Sequence, residues 1–165
     1  MNTKPVRHTP PRPPDLDRVD RTLLRLLAEQ ADRSYAELGA AVHLSPPAVH
    51  ERVKRLKRDG VILGTVARLS GEKIGCPLLA FVHVSTEGRG MNAPILALSE
   101  MADVEEIHTA TGEACLILKV RCASPANLEA LLSHIQGIEG VRSTHSYIAL
   151  GTYLERGPMP DAPDA

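Results

Sequence analysis

Aromatic residues make up only 2% of the 165-residue chain: one phenylalanine, three tyrosines and no tryptophan. A sheet that reads single-stranded RNA stacks bases on exposed rings, and Phe81 alone cannot supply that platform. Cysteine is also scarce. Cys76, Cys115 and Cys122 are odd in number and lack paired spacing, which argues against a disulfide framework and for reduced thiols in a cytoplasm. No apolar run reaches the roughly eighteen residues of a membrane span, so no membrane partner is expected. The seven histidines (His8, His43, His50, His83, His108, His134 and His145) show no ligand spacing such as H-x₃-H, so neither a metal nor another cofactor is expected. Met1 to Pro14 has Lys4, Arg7, Arg12 and five prolines but no apolar core, so this stretch is not expected to be a secretory signal.

What is present is a chain with 43% hydrophobic and 24% charged residues, enough for one ordinary domain or two small ones. The net charge of −1 hides a division. Residues 1–70 carry 13 Lys and Arg against 8 Asp and Glu, whereas residues 71–165 carry 6 against 12. A cationic front half suits a polyanionic partner; the acidic rear half does not. The expected organisation is a disordered arm at 1–15, a nucleic-acid-binding domain at 16–70, a linker at 71–76, a second domain at 77–156 and a disordered tail at 157–165.

The front half reads as three helices. Asp17 can cap the first, with Asp20 at its positive end and Val19, Leu23, Leu26 and Leu27 as one buried stripe. Ser34 and Glu37 form a capping box for a short second helix to about Val42. After the turn His43-Leu44-Ser45, Ser45 suits the cap of a third helix that starts with Pro46 and Pro47 and stops at Gly60. Val49, Val53 and Leu56 make its buried seam. A short helix, a tight turn and a longer basic helix form the geometry of helix-turn-helix DNA readers. Ser45, Pro47, His50 and Glu51 are placed for base edges, and Arg52, Lys54, Arg55, Lys57 and Arg58 for phosphates. Val61-Ile62-Leu63 and Thr65 to Leu69, around Gly64, read as a small two-stranded wing.

The rear half alternates strand, helix, strand, strand, helix and strand. The strands are expected at 77–86, 104–111, 114–122 and 141–150, and the helices at 91–102 and from Ser124 with its following Pro125. This βαββαβ order is that of a ferredoxin-like sandwich, so the fold class is α+β. One face of such a sheet lacks helices, and a second subunit is the expected cover.

Leu16-Asp17-x-x-Asp20, Glu37-Leu38, Leu44-Ser45-Pro46, Val49-x-x-Arg52-Val53-x-x-Leu56, Gly60-Val61-Ile62, Thr111-Gly112 and Gly140-Val141 occur in that order over some 140 residues. In this the chain resembles the Lrp/AsnC family of feast/famine regulators. The resemblance implies sequence-specific binding of double-stranded DNA. It also implies homodimers that assemble into octamers, and a small amino-acid-like effector held near the turn Thr111, Gly112, Glu113, Ala114 and Cys115. Two positions depart from the pattern. His43 stands where glycine is usual, at a site that needs a left-handed backbone. Ala114 and Cys115 stand where an aromatic and an aspartate are usual, removing a counter-charge for an effector's ammonium group. Two other readings compete. One is a tetrapyrrole (sirohaem) decarboxylase of the same fold, with His83, His108 and His145 lining a pocket. The basic helix would be dispensable there, and only Arg89, Arg121, Arg142 and Arg156 are available for propionates. The other is a nucleoid-type architectural protein, which differs from a gene-specific regulator only in degree.

Overall fold

Three capped helices open the chain in the computed structural model, which describes residues 14–87, 92–112 and 114–160. They are α1 (Arg18–Glu29), α2 (Tyr35–Val42) and α3 (Pro46–Arg58). Asp17 accepts a hydrogen bond from the Asp20 N–H at 2.7 Å, and the Asp20 carboxylate accepts in return from the Asp17 N–H. Ser34 and Glu37 repeat this reciprocal pattern at α2. Both boxes satisfy N–H groups that a helix start leaves without partners. His43 ends α2 at φ 56° and ψ 42°, the left-handed conformation expected of it. Leu23, Leu38, Val49 and Val53 form the core, with Val19, Leu26, Leu27, Val42, Leu44 and Ile62 packed around it. Burying each such aliphatic side chain contributes about 1.5–3 kcal/mol.

The expected wing strands do not form. No regular structure occurs from 63 to 70, and Leu63 and Val66 are 95% and 89% exposed. The reason is local. The Val61 and Ile62 N–H groups both donate to the Leu56 carbonyl, closing the end of α3 and leaving neither for a ladder. Gly64 alone is also shorter than the two-residue loop of the tightest hairpins. The expected linker differs too: the Cys76 N–H donates to the Gly71 carbonyl, folding 71–76 into a turn.

The described residues divide into two compact units, residues 14–67 with 155–160, and those within 68–154. The final described residues therefore belong with the helices rather than with the sheet. Arg21 Nη1 donates to the Pro160 carbonyl at 2.8 Å, so 157–160 is not the detached tail expected. Residues 161–165 and nearly all of the expected arm lie outside the described residues.

The second unit contains β1 (Leu78–Thr86), α4 (Asn92–Ser99), β2 (Val104–Thr109), β3 (Leu116–Cys122), α5 (Pro125–Gln136) and β4 (Val141–Ile148). The sheet order is β2-β3-β1-β4 with every neighbour antiparallel, which is the expected ferredoxin-like sandwich. Alternation places Ala80, Val82, Val84, Leu116, Leu118 and Val120 in the core with Leu98, Leu128, Leu131 and Ile135 of the helices. Ser124 caps α5, its hydroxyl accepting from the Asn127 N–H at 3.2 Å. The alternate residues Phe81, His83, Ser143, His145 and Tyr147 lie on the other face. Phe81 and Tyr147 remain 39% and 57% exposed there. No helix among the described residues is long and apolar enough to cross a membrane.

Candidate nucleic-acid interface and effector turn

The front of α3 is open. Pro46 and Pro47 occupy its first turn, where no hydrogen-bonded N–H is lost. Ser45 sits at the cap with φ −67° and ψ 150°, yet its hydroxyl makes no capping bond. Pro47, His50, Glu51, Lys54, Lys57 and Arg58 are all exposed. Three of these have modest local partners: His50 Nδ1 lies 3.5 Å from Glu51, and Arg58 donates to Asp59 at 3.0 Å.

Arg52 and Arg55 differ from expectation. Arg52 Nη1 donates to Asp17 at 2.6 Å and to Asp20 at 2.9 Å, and Arg55 Nη2 donates to Asp20 at 2.5 Å. Asp20 is 1% exposed, and a carboxylate so buried requires paired cations. Their spacing of three puts both guanidiniums on the α1 side of α3. They fasten α3 to α1, whereas Lys54, Lys57 and Arg58 stay exposed. The charge states follow the geometry. The Asp20 N–H and then the Arg52 guanidinium hold Asp17 below the usual carboxylate value. Asp17 and Asp20 in turn raise Arg52.

Tyr35 is a residue of this face that helical periodicity does not single out. It begins α2, is 38% exposed, and sets its ring edge-on to His50 with centroids 5.2 Å apart. It is the one aromatic residue of the helical front, which was the available signal. The contact joins the N-terminus of α2 to the face of α3.

In the second unit the expected effector turn joins β2 to β3. The Ala110 N–H donates to the Cys115 carbonyl and the Cys115 N–H to the Val84 carbonyl, each at 3.0 Å. Gly112 has φ +125°, a conformation L side chains rarely adopt. Thr111 and Gly112 are exposed, Ala114 and Cys115 half-buried, and Glu113 lies outside the described residues. The side chain and then the backbone of Thr86 lower the Cys115 thiol below its ordinary value. A cavity of about 310 Å³ opens on the helix-free face of the sheet, lined by His83, Ser85, Ala114, Ser143, His145 and Tyr147. Among the described turn residues, Ala114 reaches it.

A helix-turn-helix with a cationic outer face, followed in the chain by a ferredoxin-like sandwich, defines a two-domain DNA-binding transcriptional regulator. The chain belongs to the Lrp/AsnC family. Residues 16–57 match the AsnC-type helix-turn-helix domain, and residues 79–159 match the Lrp/AsnC ligand binding domain. It is 38% identical over 148 residues to the HTH-type transcriptional regulator LrpA of Mycobacterium tuberculosis, covering 88% of this chain and 97% of that one. The fold is similar to that of Escherichia coli AsnC, with TM-score 0.82, 28% identity and coverage of 88% and 99%. A feast or famine regulatory protein from M. tuberculosis, solved with L-methionine, is similar at TM-score 0.82 and 36% identity, covering 88% of this chain and all of that one. These relatives are regulators, and none of their names describes an enzyme. The function is sequence-specific DNA binding that controls transcription.

Proposed function

We propose that α3 lies in the major groove of its operator. Ser45, Pro47, His50 and Glu51 face base edges there, while Lys54, Lys57 and Arg58 face phosphates. The observation that carries this reading is the combination on one helix of an unengaged cap hydroxyl with exposed cations. Tyr35 supports His50 from the side and orients its ring. Arg52 and Arg55 act indirectly, holding the angle between α3 and α1.

The second unit responds to a small amino-acid-like effector at the turn 111–115. The solved relative that holds L-methionine supports this class of ligand. Cys115 stands where the resemblance places an aspartate, so an ordinary zwitterion meets no fixed counter-charge there unless Glu113 supplies it. An altered effector specificity follows. The exposed sheet face with Phe81 and Tyr147 favours a homodimer that presents two α3 helices, and the dimers assemble to an octamer as the resemblance implies.

Selection of genomic fragments by the purified protein at stated salt, with and without a panel of amino acids, tests the reading. Enrichment of defined sites is expected, and absence of any enrichment overturns it. Lys54→Ala should lower affinity across sequences and reduce the salt slope by about one unit. An unchanged slope would remove Lys54 from the interface. Sedimentation at micromolar concentration reports assembly, and a monomer would refute the dimer.

A further inference from the structure

Strand register lays a row of histidines across the helix-free sheet face. His108 is the partner of Ile117, Ile117 of His83, and His83 of His145, so three of the four residues in this row are imidazoles. His83 is half-buried, and His108 and His145 are exposed. Phe81 and Tyr147, directly paired, lie two residues along on the same face.

The fixed charges of this face already balance. Lys119 Nζ lies 3.3 Å from Glu105 and 3.4 Å from Glu106, and Arg121 Nε donates to Glu105. Two cations thus meet two carboxylates, while alternation along β4 turns Arg142 to the side of the helices. His108 lies 2.9 Å from Glu106, and that contact is the first cause holding Glu106 below the usual carboxylate range. A proton on His108 therefore has a counter-charge. Among the described residues, none awaits a proton on His83 or His145. Ser85, Ala114, Ser143 and Tyr147 surround the pair, and none is a carboxylate. Tyr147 sets its ring against His83 at 5.1 Å between centroids, and the Cys115 thiol just before β3 is engaged by Thr86. Protonation of both imidazoles places like charges directly opposite each other on adjacent strands, an arrangement that destabilises. A second copy related by a two-fold axis brings the same set to the contact. Burial there also removes the water that the free chain offers to each charge.

We propose that His83 and His145 make the dimer contact proton-sensitive: two copies close sheet to sheet while these imidazoles are neutral and separate when acid charges them. This deepens the dimer reading and rests on it. Separation also uncouples the two α3 helices, so acid weakens operator binding. A fall in pH is thereby a second input to the regulator, distinct from the amino-acid-like effector.

Sedimentation equilibrium of the intact protein at pH 7.5 and at pH 5.5 in matched salt tests the proposal, with circular dichroism to confirm the fold at both. Imidazole is the side chain that ordinarily changes charge in this window. Because the assembled state favours the neutral form, assembly is strongest above the window and is lost as pH falls through it. Uptake of one proton per copy predicts a dimer dissociation constant about a hundredfold weaker at pH 5.5. A change below tenfold would overturn the proposal and leave the dimer standing, whereas a monomer at pH 7.5 would refute both. The His83→Gln/His145→Gln double variant should dimerise almost equally at the two pH values, and a tenfold response in it would also overturn the proposal. His108→Gln should respond as the parent protein does, and loss of the response there would move the switch away from this pair. Should the double variant fail to fold, His145→Lys on the edge strand decides. Its fixed charge should weaken the dimer at least tenfold at pH 7.5, and parental strength would overturn the proposal.

Discussion

Replacing Asp20 with alanine strips α3 of the anchor that holds it to α1. The carboxylate is 1% exposed and accepts from both Arg52 and Arg55. A hydrogen bond to a charged group contributes about 1.5–3 kcal/mol. The two guanidiniums are 30% and 40% exposed, so water recovers part of each interaction and about 1 kcal/mol apiece survives. Loss of the capping partner adds roughly 0.5 kcal/mol. The sum is about 2–3 kcal/mol, and a domain of this size shifts its midpoint by about 4–8 °C per kcal/mol. Asp20→Ala should therefore lower the thermal midpoint of the helical unit by about 10–20 °C in calorimetry of the intact chain. Arg55→Ala and the double variant complete a cycle that isolates the pair. DNA binding supplies an independent readout. Release of two guanidiniums onto the α3 face should steepen the salt slope by up to about two units at temperatures where the variant is folded. A midpoint within about 2 °C of the parent protein would refute the anchoring argument. An unchanged slope would mean that the two arginines already contact phosphate.

Three further outcomes are expected. A Cβ built on Gly39 would stand 2.4 Å from the Leu44 carbonyl oxygen, so Gly39→Ala should force the turn before α3 apart. Its cost should exceed about 2 kcal/mol in denaturant unfolding, with loss of DNA binding. Asp17 and Glu37 have folded-state values lowered by their cap partners, so their stabilisation is complete above the ordinary carboxylate values and fades as pH falls through the lowered ones. Acid unfolding of the helical unit followed by circular dichroism should begin below the ordinary range, and Asp17→Asn with Glu37→Gln should flatten that dependence. Thr86 lowers the Cys115 thiol while burial raises Cys122, so iodoacetamide should modify Cys115 before Cys122; mass mapping that finds the reverse order would contradict the thiol environments.

Local chemistry was legible where a device spans only a few residues. Asp17 with Asp20 and Ser34 with Glu37 are reciprocal caps at a spacing of three. Pro46 and Pro47 open α3, and Gly60 at φ 71° follows it. His43 adopts the left-handed backbone because the turn demands it. The wing expectation failed for a physical reason. Alternating apolar residues from Val61 to Leu69 carry β propensity, but a ladder needs free N–H groups and a loop long enough to reverse the chain. The Leu56 carbonyl takes two of those N–H groups.

Composition, caps and apolar periodicity in the chain itself determined the helix-turn-helix, the βαββαβ order and the cationic front, because each rests on interactions within one element. Tertiary structure alone decided which cations face outward. Arg52 and Lys54 look alike as sequence, and only a buried carboxylate 32 residues from Arg52 draws one inward and leaves the other exposed. It likewise decided that His83 meets His145, since strand register fixes which side chains share a row and no spacing along the chain encodes it.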